Sequence, residues 1–347
     1  MHSRRCPPCV RPASPRYLDS ANGDLYYFPN ATDAATTPSP PVSTAVFEVT
    51  QLEQLITITG AGSARGETGA HATGITLSGL KLSGAALATL APHGLPSDGG
   101  GDWAVARRAA VHLSGVEGVT VERCLFERID GNGIMISGYS RNTTIADNEF
   151  HLIGESGIVS WGYTADFPGA ARAVPIPKTM GGDARDGNHP QGSQILGNFF
   201  HEIGHWQKQV SCYFQAQSQG STLAGNICFN GPRAGFNFND GMGGGNRVRS
   251  NLIFNMVRET ADHGTFNSWD RQPFYVTRDG VDTFVPLYNE IGPRNFWSAS
   301  FLRPGLARSC CRTLLLPWCA AVGNRTTSLT PSPPPPRPPP PPPPPPP

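Results

Sequence analysis

The segment RETADHGTFNSWDR, residues 258 to 271, has an unusual density of side chains that can do chemistry. It holds two Arg, three acidic residues, a His, an Asn and a Trp within fourteen positions. Paired carboxyl groups act as acid and base, or as nucleophile, when a glycosidic bond is cleaved. A His carries protons near neutral pH, and an Arg binds a carboxylate or a developing oxyanion. The segment therefore predicts acid/base chemistry on a sugar-like substrate.

The candidate catalytic residues are three carboxylates and one imidazole, namely Asp240, Asp262, His263 and Asp270. The candidates for substrate binding are indole, amide and cationic side chains, namely Trp161, His205, Trp206, Arg233, Asn237, Asn239, Arg258, Trp269 and Arg271. Indole faces can stack on sugar rings, and Arg can hold a carboxylate. A structural role competes for Asp240, because Asp in a Gly-rich turn such as FNDGMGGGN commonly caps backbone groups. No spacing of His, Cys, Asp or Glu defines a metal site or a cofactor.

These residues must be positioned by the elements around them, and the sequence contains an internal repeat that supplies those elements. One template of apolar and anchor positions fits five segments, which read VERCLFERI, IADNEFHLI, ILGNFFHEI, LAGNICFNG and VRSNLIFNM. The anchor residues are Cys124, Asn148, Asn198, Asn226 and Asn251, with gaps of 24, 50, 28 and 25 residues. A further copy places Leu80 at the anchor, 44 residues before Cys124. A period of about 25 residues made of short strands predicts stacked coils.

The coils are expected to pair their strands in parallel, with alternate side chains pointing into and out of the stack. The residues predicted to point inward are Ile134, Ile136, Ile158, Phe236 and Phe238. Those predicted to point outward are Met135 and Ser137, Val159 and Trp161, Asn237 and Asn239, and Phe266 and Ser268. Asn237, Asn239 and Asp240 would then lie beside Asn267, Ser268 and Asp270 on the next coil, about 4.8 Å away. The anchor Asn side chains are expected to stack in one file.

The repeat resembles the right-handed parallel β-helix, or pectin-lyase-like, family over residues 73 to about 292, which implies an all-β solenoid of about six or more coils. A lead-in hairpin, RYLDSANGDLYYFPN at 16 to 30, looks like that of carbohydrate-active members, with its turn at Asn22-Gly23. The resemblance implies a glycoside hydrolase, polysaccharide lyase or epimerase. Calcium, which some β-helix lyases recruit through acids, is implied by the family alone. An insertion at 164–192 is either a cleft wall or an irregular excursion.

Composition limits the partners and the compartment. The net charge is +1 and charged residues are 15% of the chain, so no global field attracts nucleic acid or an anionic membrane. No apolar run is long enough to span a bilayer. Sequons at Asn30, Asn142 and Asn324 favour the secretory pathway, although no leader is visible at the N-terminus. A polyproline segment from Pro331 resembles the tails of green-algal wall glycoproteins. We expect an extracellular or cell-wall monomer whose partner is a polysaccharide or wall glycan.

These patterns divide the chain into five parts. The expected parts are a disordered N-terminus at 1–15, a hairpin and cap at 16–72, the β-helix at 73–296, an irregular segment at 297–330 and a polyproline tail at 331–347. Three functions stay open at this point: a carbohydrate-active enzyme, a non-catalytic glycan-binding or wall protein, and a truncated, inactive relative. The last is suggested by WSASFLRPGLARSCCRT, where the repeat is expected to stop and an apolar edge to be left exposed.

Overall fold

The structure is a computed structural model of the 347-residue chain. It describes residues 16–19, 21–27, 50–61, 69–86, 93, 103, 105–163, 165–166, 182–239, 243–260, 263–268, 274–285 and 289–299. Successive strands of the chain enter three long sheets in turn, and every pairing between coils is parallel. This topology confirms the predicted parallel β-helix.

The strands, numbered in chain order, form an N-terminal hairpin, three long sheets and a small fourth sheet. The N-terminal hairpin is β1 (Arg16–Asp19) and β2 (Asp24–Tyr27). Sheet 1 holds nine strands: β3 (Ile56–Thr59), β4 (Ala72–Thr73), β7 (Ala109–Glu117), β10 (Asn132–Arg141), β13 (Ile158–Trp161), β16 (Pro190–Gln191), β19 (Ser211–Ala216), β22 (Ala234–Phe238) and β25 (Phe266–Ser268).

Sheets 2 and 3 hold seven strands each, which corresponds to seven coils. Sheet 2 is β5 (Thr76–Ser78), β8 (Thr120–Glu122), β11 (Thr144–Ala146), β17 (Gln194–Leu196), β20 (Thr222–Ala224), β23 (Arg247–Arg249) and β28 (Glu290–Ile291). Sheet 3 is β6 (Lys81–Ser83), β9 (Leu125–Ile129), β12 (Glu149–Ile153), β18 (Phe199–Ile203), β21 (Ile227–Phe229), β24 (Leu252–Met256) and β29 (Phe296–Ala299). The stack thus begins at Ile56, before the expected Thr73, and its last described strand runs three residues past Phe296.

The interior of the stack is apolar, and identical positions of successive coils lie on top of one another. All five residues predicted to point inward belong to the buried core. On the inner face of sheet 3, Phe126, Phe150 and Phe200 form a stack with ring centroids 4.7 Å apart. Each ring buries a large apolar area, so this file contributes strongly to the hydrophobic stabilisation of the coils.

The predicted file of Asn side chains forms a continuous hydrogen-bonded ladder at the corner between sheets 2 and 3. The Asn226 Oδ1 accepts from the backbone N of Asn198 at 3.0 Å, and the Asn226 Nδ2 donates to the Asn251 Oδ1 at 2.9 Å. The same pattern joins Asn148 to Asn198 and Asn251 to Asn295. Each side chain satisfies backbone groups that the bend removes from the sheets. Asn295 extends the ladder one coil beyond the predicted anchors.

Cys124 occupies the ladder position in an early coil, and we expect Cys124→Asn to stabilise the protein by about 1 kcal/mol. The Cys124 Sγ lies 3.8 Å from the Leu77 O and 3.5 Å from the Leu80 N, the places where an Asn would donate and accept. In the next coil, the Asn148 Nδ2 donates to the equivalent carbonyl of Val121 at 2.9 Å. Urea unfolding at neutral pH measures the change, with Cys124→Ala as the control that removes the thiol without extending the ladder. A midpoint for Cys124→Asn at or below that of Cys124→Ala would contradict the expectation.

A disulfide crosses the interior of the stack between Cys212 on β19 and Cys228 on β21. Both cysteines are fully buried, and they are separated by 16 residues along the chain. Cys228 takes the position that Phe126, Phe150 and Phe200 fill in earlier coils, since β21 pairs with β18 in register. The irregular spacing of the eight Cys gave no indication of this pair.

The predicted N-terminal hairpin is present, with β1 and β2 antiparallel and Asp19 opposite Asp24. Gly23 has a φ of 77°, a left-handed conformation that glycine adopts without strain. The Asp19 side chain accepts from the backbone N of Ala21 at 3.0 Å and from the Asn22 Nδ2 at 2.9 Å. Local turn chemistry therefore accounts for this element.

Two excursions from the stack form a small fourth sheet. The insertion after β13 contributes β14 (Ala165–Asp166) and β15 (Gly182–Asp183), and the chain after β25 contributes the hairpin β26 (Phe274–Arg278) and β27 (Val281–Val285). Asp183 pairs with Tyr275, and the Arg185 guanidinium bridges Asp183 and Asp282 at 2.9 Å from each carboxylate. The parts of the insertion described here are therefore ordered by pairing with a segment about a hundred residues away in the sequence.

Candidate functional site

The outer face of sheet 1 carries the residues predicted to point outward, with one correction. Register aligns Met135, Val159, Phe214, Asn237 and Asn267 in one file across the coils. The expectation that Phe266 and Ser268 point outward is wrong. They pair with Phe236 and Phe238 in the inward register, and the Phe266 ring packs against the interior core. Asn267 takes the outward position beside Asn237.

Most of this outer face is buried, because a segment that precedes β7 lies across it. Trp103, Val105 and Ala109 form a second apolar cluster with the outward residues Met135, Val159, Trp161, Phe214, Ala216 and Ala234. Trp103 is fully buried, and its ring lies 5.3 Å from that of Phe214. The face is therefore apolar where the middle coils pass beneath this segment, and it becomes polar towards β22 and β25.

At this polar end, His263 lies between a tryptophan and an arginine. The Trp103 Nε1 donates towards the His263 Nε2 at 3.2 Å, and the Arg233 Nη2 lies 2.7 Å from the His263 Nδ1. The Arg233 guanidinium also lies over the Trp103 ring, 5.4 Å from its centroid. Both neighbours present N–H donors, whereas a neutral imidazole has a single acceptor nitrogen. Only one of the two contacts can therefore be a hydrogen bond at any one time. Donors at both nitrogens and the nearby Arg233 cation favour the neutral form of the ring.

Two asparagines on β22 and at its end complete the polar surface. The Asn267 Nδ2 donates to the Asn237 Oδ1 at 2.6 Å. Asn237 is fully buried and Asn239 is 3% exposed, yet the Nδ2 of each has no hydrogen-bond partner among the described residues. A buried amide N–H without a partner costs about 1 to 3 kcal/mol. We call the set Trp103, Arg233, Asn237, Asn239, His263 and Asn267 the outer-face cluster.

Trp161 has a structural environment different from the one predicted for it. Its ring is 6% exposed and is covered by the Arg107 guanidinium, 3.7 Å from the ring centroid. Arg107 also lies over Tyr163 at 4.0 Å and donates to the Ser137 Oγ at 3.0 Å. Burial lowers the pKa of Arg107 to about 10. Arg107 thus occupies the Trp161 face that sugar stacking would need.

The remaining described candidates lie away from these contacts. His205 and Trp206 are exposed at the turn between β18 and β19, where the Trp206 Nε1 donates to the Asp130 Oδ1 at 3.0 Å. Arg258 is exposed and lies 3.9 Å from the Glu202 carboxylate. Of the substrate-binding candidates, Arg233, Asn237 and Asn239 belong to the outer-face cluster, together with the catalytic candidate His263. Five predicted site residues lie outside the described residues, namely Asp240, Asp262, Trp269, Asp270 and Arg271.

The sequence interpretation missed Trp103 and Arg107. Their signal was the 44-residue gap between Leu80 and Cys124, which is about 20 residues longer than one coil. The 50-residue gap between Asn148 and Asn198 contains β14 and β15, and a third long gap, between Asn251 and Asn295, contains the hairpin of β26 and β27. Excess length between anchors therefore marks the segments that leave the stack.

One histidine on the same face has a strongly lowered pKa. His112 lies on β7 in register with Met135, and its Nδ1 is buried without a partner. Burial, and secondarily the charge of Arg107, lower the pKa of His112 to about 4. His112 is neutral at physiological pH, and it is separated from the outer-face cluster by several coils.

The fourth sheet contributes an open polar cleft lined by Asp183, Arg185, Asp186, Thr277 and Asp282. Hydrogen bonds with Asp183 and Asp282 raise the pKa of the Arg185 guanidinium. Among the described residues, no group of three or more His, Cys, Asp or Glu is arranged to hold a metal ion. None of the described segments forms a helix with the length and apolar character that a bilayer requires.

Comparisons with known proteins identify no family for this chain. No family model matches the chain, and no curated protein matches it. A solved structure described as "Glycoside hydrolase" superposes with a TM-score of 0.48 and 15% sequence identity, over 74% of this chain and 52% of that one. The chain thus spans about half the length of that structure. A similarity this low does not indicate a substrate or a reaction for this chain.

Proposed function

We propose that this protein binds a polysaccharide at the outer-face cluster and processes it by acid/base chemistry. The observation that carries the proposal is the pair of buried amide groups, Asn237 Nδ2 and Asn239 Nδ2, which have no hydrogen-bond partner among the described residues and lie beside His263 and Arg233 at the polar end of the sheet. Sugar hydroxyl and ring oxygens are acceptors that such donors bind. A parallel β-helix holds these groups on rigid strands, which favours precise orientation of a substrate.

Each described residue of the cluster has a role in this proposal. His263 is assigned the role of proton carrier, which it can take when the substrate or an attacking water replaces one of its two N–H contacts, from the Trp103 Nε1 or the Arg233 Nη2. Arg233 stabilises a substrate carboxylate or developing negative charge. Asn237 and Asn239 orient the sugar. The carboxylates of Asp240 and Asp262, which adjoin Asn239 and His263 in the sequence, and of Asp270, three residues after Asn267, are proposed as the acid and base partners.

The alternative is a protein that binds a wall glycan without processing it. Buried donors and an aromatic residue suit binding alone as well as catalysis, so only turnover separates the two functions. A panel of uronate-containing and neutral polysaccharides should be assayed for new reducing ends and for the ultraviolet absorbance of an unsaturated uronate. Reducing ends with that absorbance identify elimination, and reducing ends without it identify hydrolysis. Binding without either product, and with no change in the C5 configuration of the uronates by NMR, identifies the non-catalytic alternative.

Two substitutions test the residue assignment. We expect His263→Ala and Asp270→Asn each to abolish turnover, because the first removes the proton carrier and the second removes a carboxylate charge with little change in volume. His151→Ala is the matched control, since His151 lies on the outer face of sheet 3 and stacks on His201 at 4.3 Å. Circular dichroism should show an unchanged fold in all three variants. Wild-type turnover in both site variants would place the chemistry elsewhere.

A further inference from the structure

The corner between sheets 1 and 2 is built from residues in the left-handed conformation, and all but one of them are glycine. Their φ angles lie between 52° and 73°, and the residues are Gly74, Gly118, Asn142, Gly192, Gly220 and Gly245. The backbone N–H of each of the first five donates to the next coil. Glycine takes this conformation without strain, and Asn is the residue that tolerates it next best. Asn142 is therefore the single described position in this file that carries a side chain.

The Asn142 side chain is exposed, and its amide makes no hydrogen bond to any described residue. Its neighbours along the corner, Gly118 and Gly192, have no side chains to crowd it. A Cβ at Gly192 would come within 2.7 Å of the Asn142 Oδ1, so the amide occupies space that only a glycine leaves open. The corner thus offers an accessible amide with free volume on both sides.

Asn142 begins the sequence Asn-Thr-Thr, and the structure assigns different roles to the two threonines. Thr143 is fully buried, and its Oγ1 lies 2.7 Å from the Ser140 Oγ. Thr144 starts β11 and lies on the outer face of sheet 2, in register with Thr120 and Gln194, and its hydroxyl has no described partner. The two groups that define an N-glycosylation acceptor, the Asn amide and the hydroxyl two residues later, are therefore both available.

The compartment comes from a separate observation. Cys212 and Cys228 form a disulfide inside the stack, and both are fully buried. Disulfides of this structural kind form and persist in oxidising compartments, which include the lumen where N-glycans are transferred. The disulfide and the accessible acceptor are unrelated in sequence, yet they indicate the same compartment.

We infer that Asn142 carries an N-linked glycan. The donor is an oligosaccharide attached to a polyprenyl diphosphate. The Asn142 Nδ2 forms a bond to the anomeric carbon of the first sugar, the bond from that carbon to the diphosphate oxygen breaks, and the amide loses one proton. The glycan is attached at the corner between sheets 1 and 2, three sheet-1 strands before β22 in the stack. The inference is independent of the proposed function of that cluster.

The test is translation of the full chain behind a cleavable secretion leader, in the presence of microsomes. The starting variant is Asn30→Gln combined with Asn324→Gln, so that Asn142 is the remaining sequon. We expect the protease-protected product to lose the mass of one glycan when it is digested with a peptide N-glycosidase. Thr144→Val should abolish that shift completely, whereas the isosteric neighbour Thr143→Val should retain it.

Several outcomes would overturn the inference. A protease-protected chain with an intact Cys212–Cys228 disulfide and no glycosidase-sensitive shift would show that the acceptor is not used. A shift that survives Thr144→Val would place the glycan at another residue. Mass spectrometry of the deglycosylated peptide gives a second readout, because the glycosidase converts the modified Asn142 to Asp. Loss of the shift in Thr143→Val would contradict the roles assigned to the two threonines, in which the acceptor needs the hydroxyl of Thr144 and not that of Thr143.

Discussion

Replacing Asn226 by Leu is expected to lower the free energy of unfolding by about 3 kcal/mol, the upper end of the cost of leaving buried polar groups unpaired. Asn226 is fully buried in the middle of the ladder. Its Oδ1 accepts from the backbone N and the Nδ2 of Asn198, and its Nδ2 donates to the Ile195 O at 2.9 Å and to Asn251. Leu matches the size of Asn but satisfies none of these groups. Urea unfolding followed by circular dichroism measures the loss.

Asn295→Leu is the matched control for this substitution. Asn295 occupies the last described rung, is half-buried, and accepts from Asn251 on one side. Water can reach the groups that Leu would leave unpaired there, so the loss should be clearly smaller than in Asn226→Leu. Equal losses in the two variants, or no loss in Asn226→Leu, would contradict the account of the ladder as the element that holds successive coils in register.

Stability is expected to fall steeply below neutral pH because two buried histidines must stay neutral in the folded state. Burial lowers the pKa of His112 to about 4 and that of His189 to about 3, and the nearby cations Arg107 and Arg141 add to the respective shifts. The unfolded chain takes up these protons near the ordinary value of 6.5. The stabilisation is therefore complete above that value and is lost as the pH falls. Each histidine should account for about 3 kcal/mol between pH 7 and pH 4.

The free energy of unfolding at pH 7 and pH 4 should be compared for the wild type, His112→Phe and His189→Gln. Each substitution removes one titrating group, so the difference between the two pH values should shrink by about 3 kcal/mol in each variant. His205→Gln changes an exposed histidine and serves as the control, with an unchanged pH dependence. A wild-type difference that persists in both buried-site variants would show that other groups cause the acid sensitivity.

The periodic features of the fold could be predicted from sequence because each coil repeats the same physical problem. An Asn at one corner and alternating apolar residues recur from coil to coil, because successive coils must make the same bend and bury the same face. Asn148, Asn198, Asn226 and Asn251 therefore align as predicted. Which side chains of β25 point outward could not be predicted in this way. Phe266 lies opposite Phe236 and Thr265 opposite Gly235, one residue away from the register assumed for the outward positions, and a slip of one residue reverses which side chains point outward.

The aperiodic features determine the site, and they carry little local signal. Trp103 and Arg107 come from an excursion with no strand pattern, yet they cover the outer face of sheet 1 and contact His263 and Trp161. The Cys212–Cys228 pair joins two coil positions whose proximity depends on the register of the whole stack. Such contacts are set by tertiary packing, so the sequence pattern did not predict the segment that lies across this face.

The most direct test of the account is a crystal structure of the Asp270→Asn variant soaked separately with oligogalacturonate and with cello-oligosaccharides. The account predicts sugar density on the outer face of sheet 1 at β22 and β25, with sugar oxygens about 3 Å from the Nδ2 atoms of Asn237 or Asn239 and near the His263 ring. Density confined to the polar cleft of the fourth sheet or to the outer face of sheet 3, with the outer-face cluster empty, would contradict it.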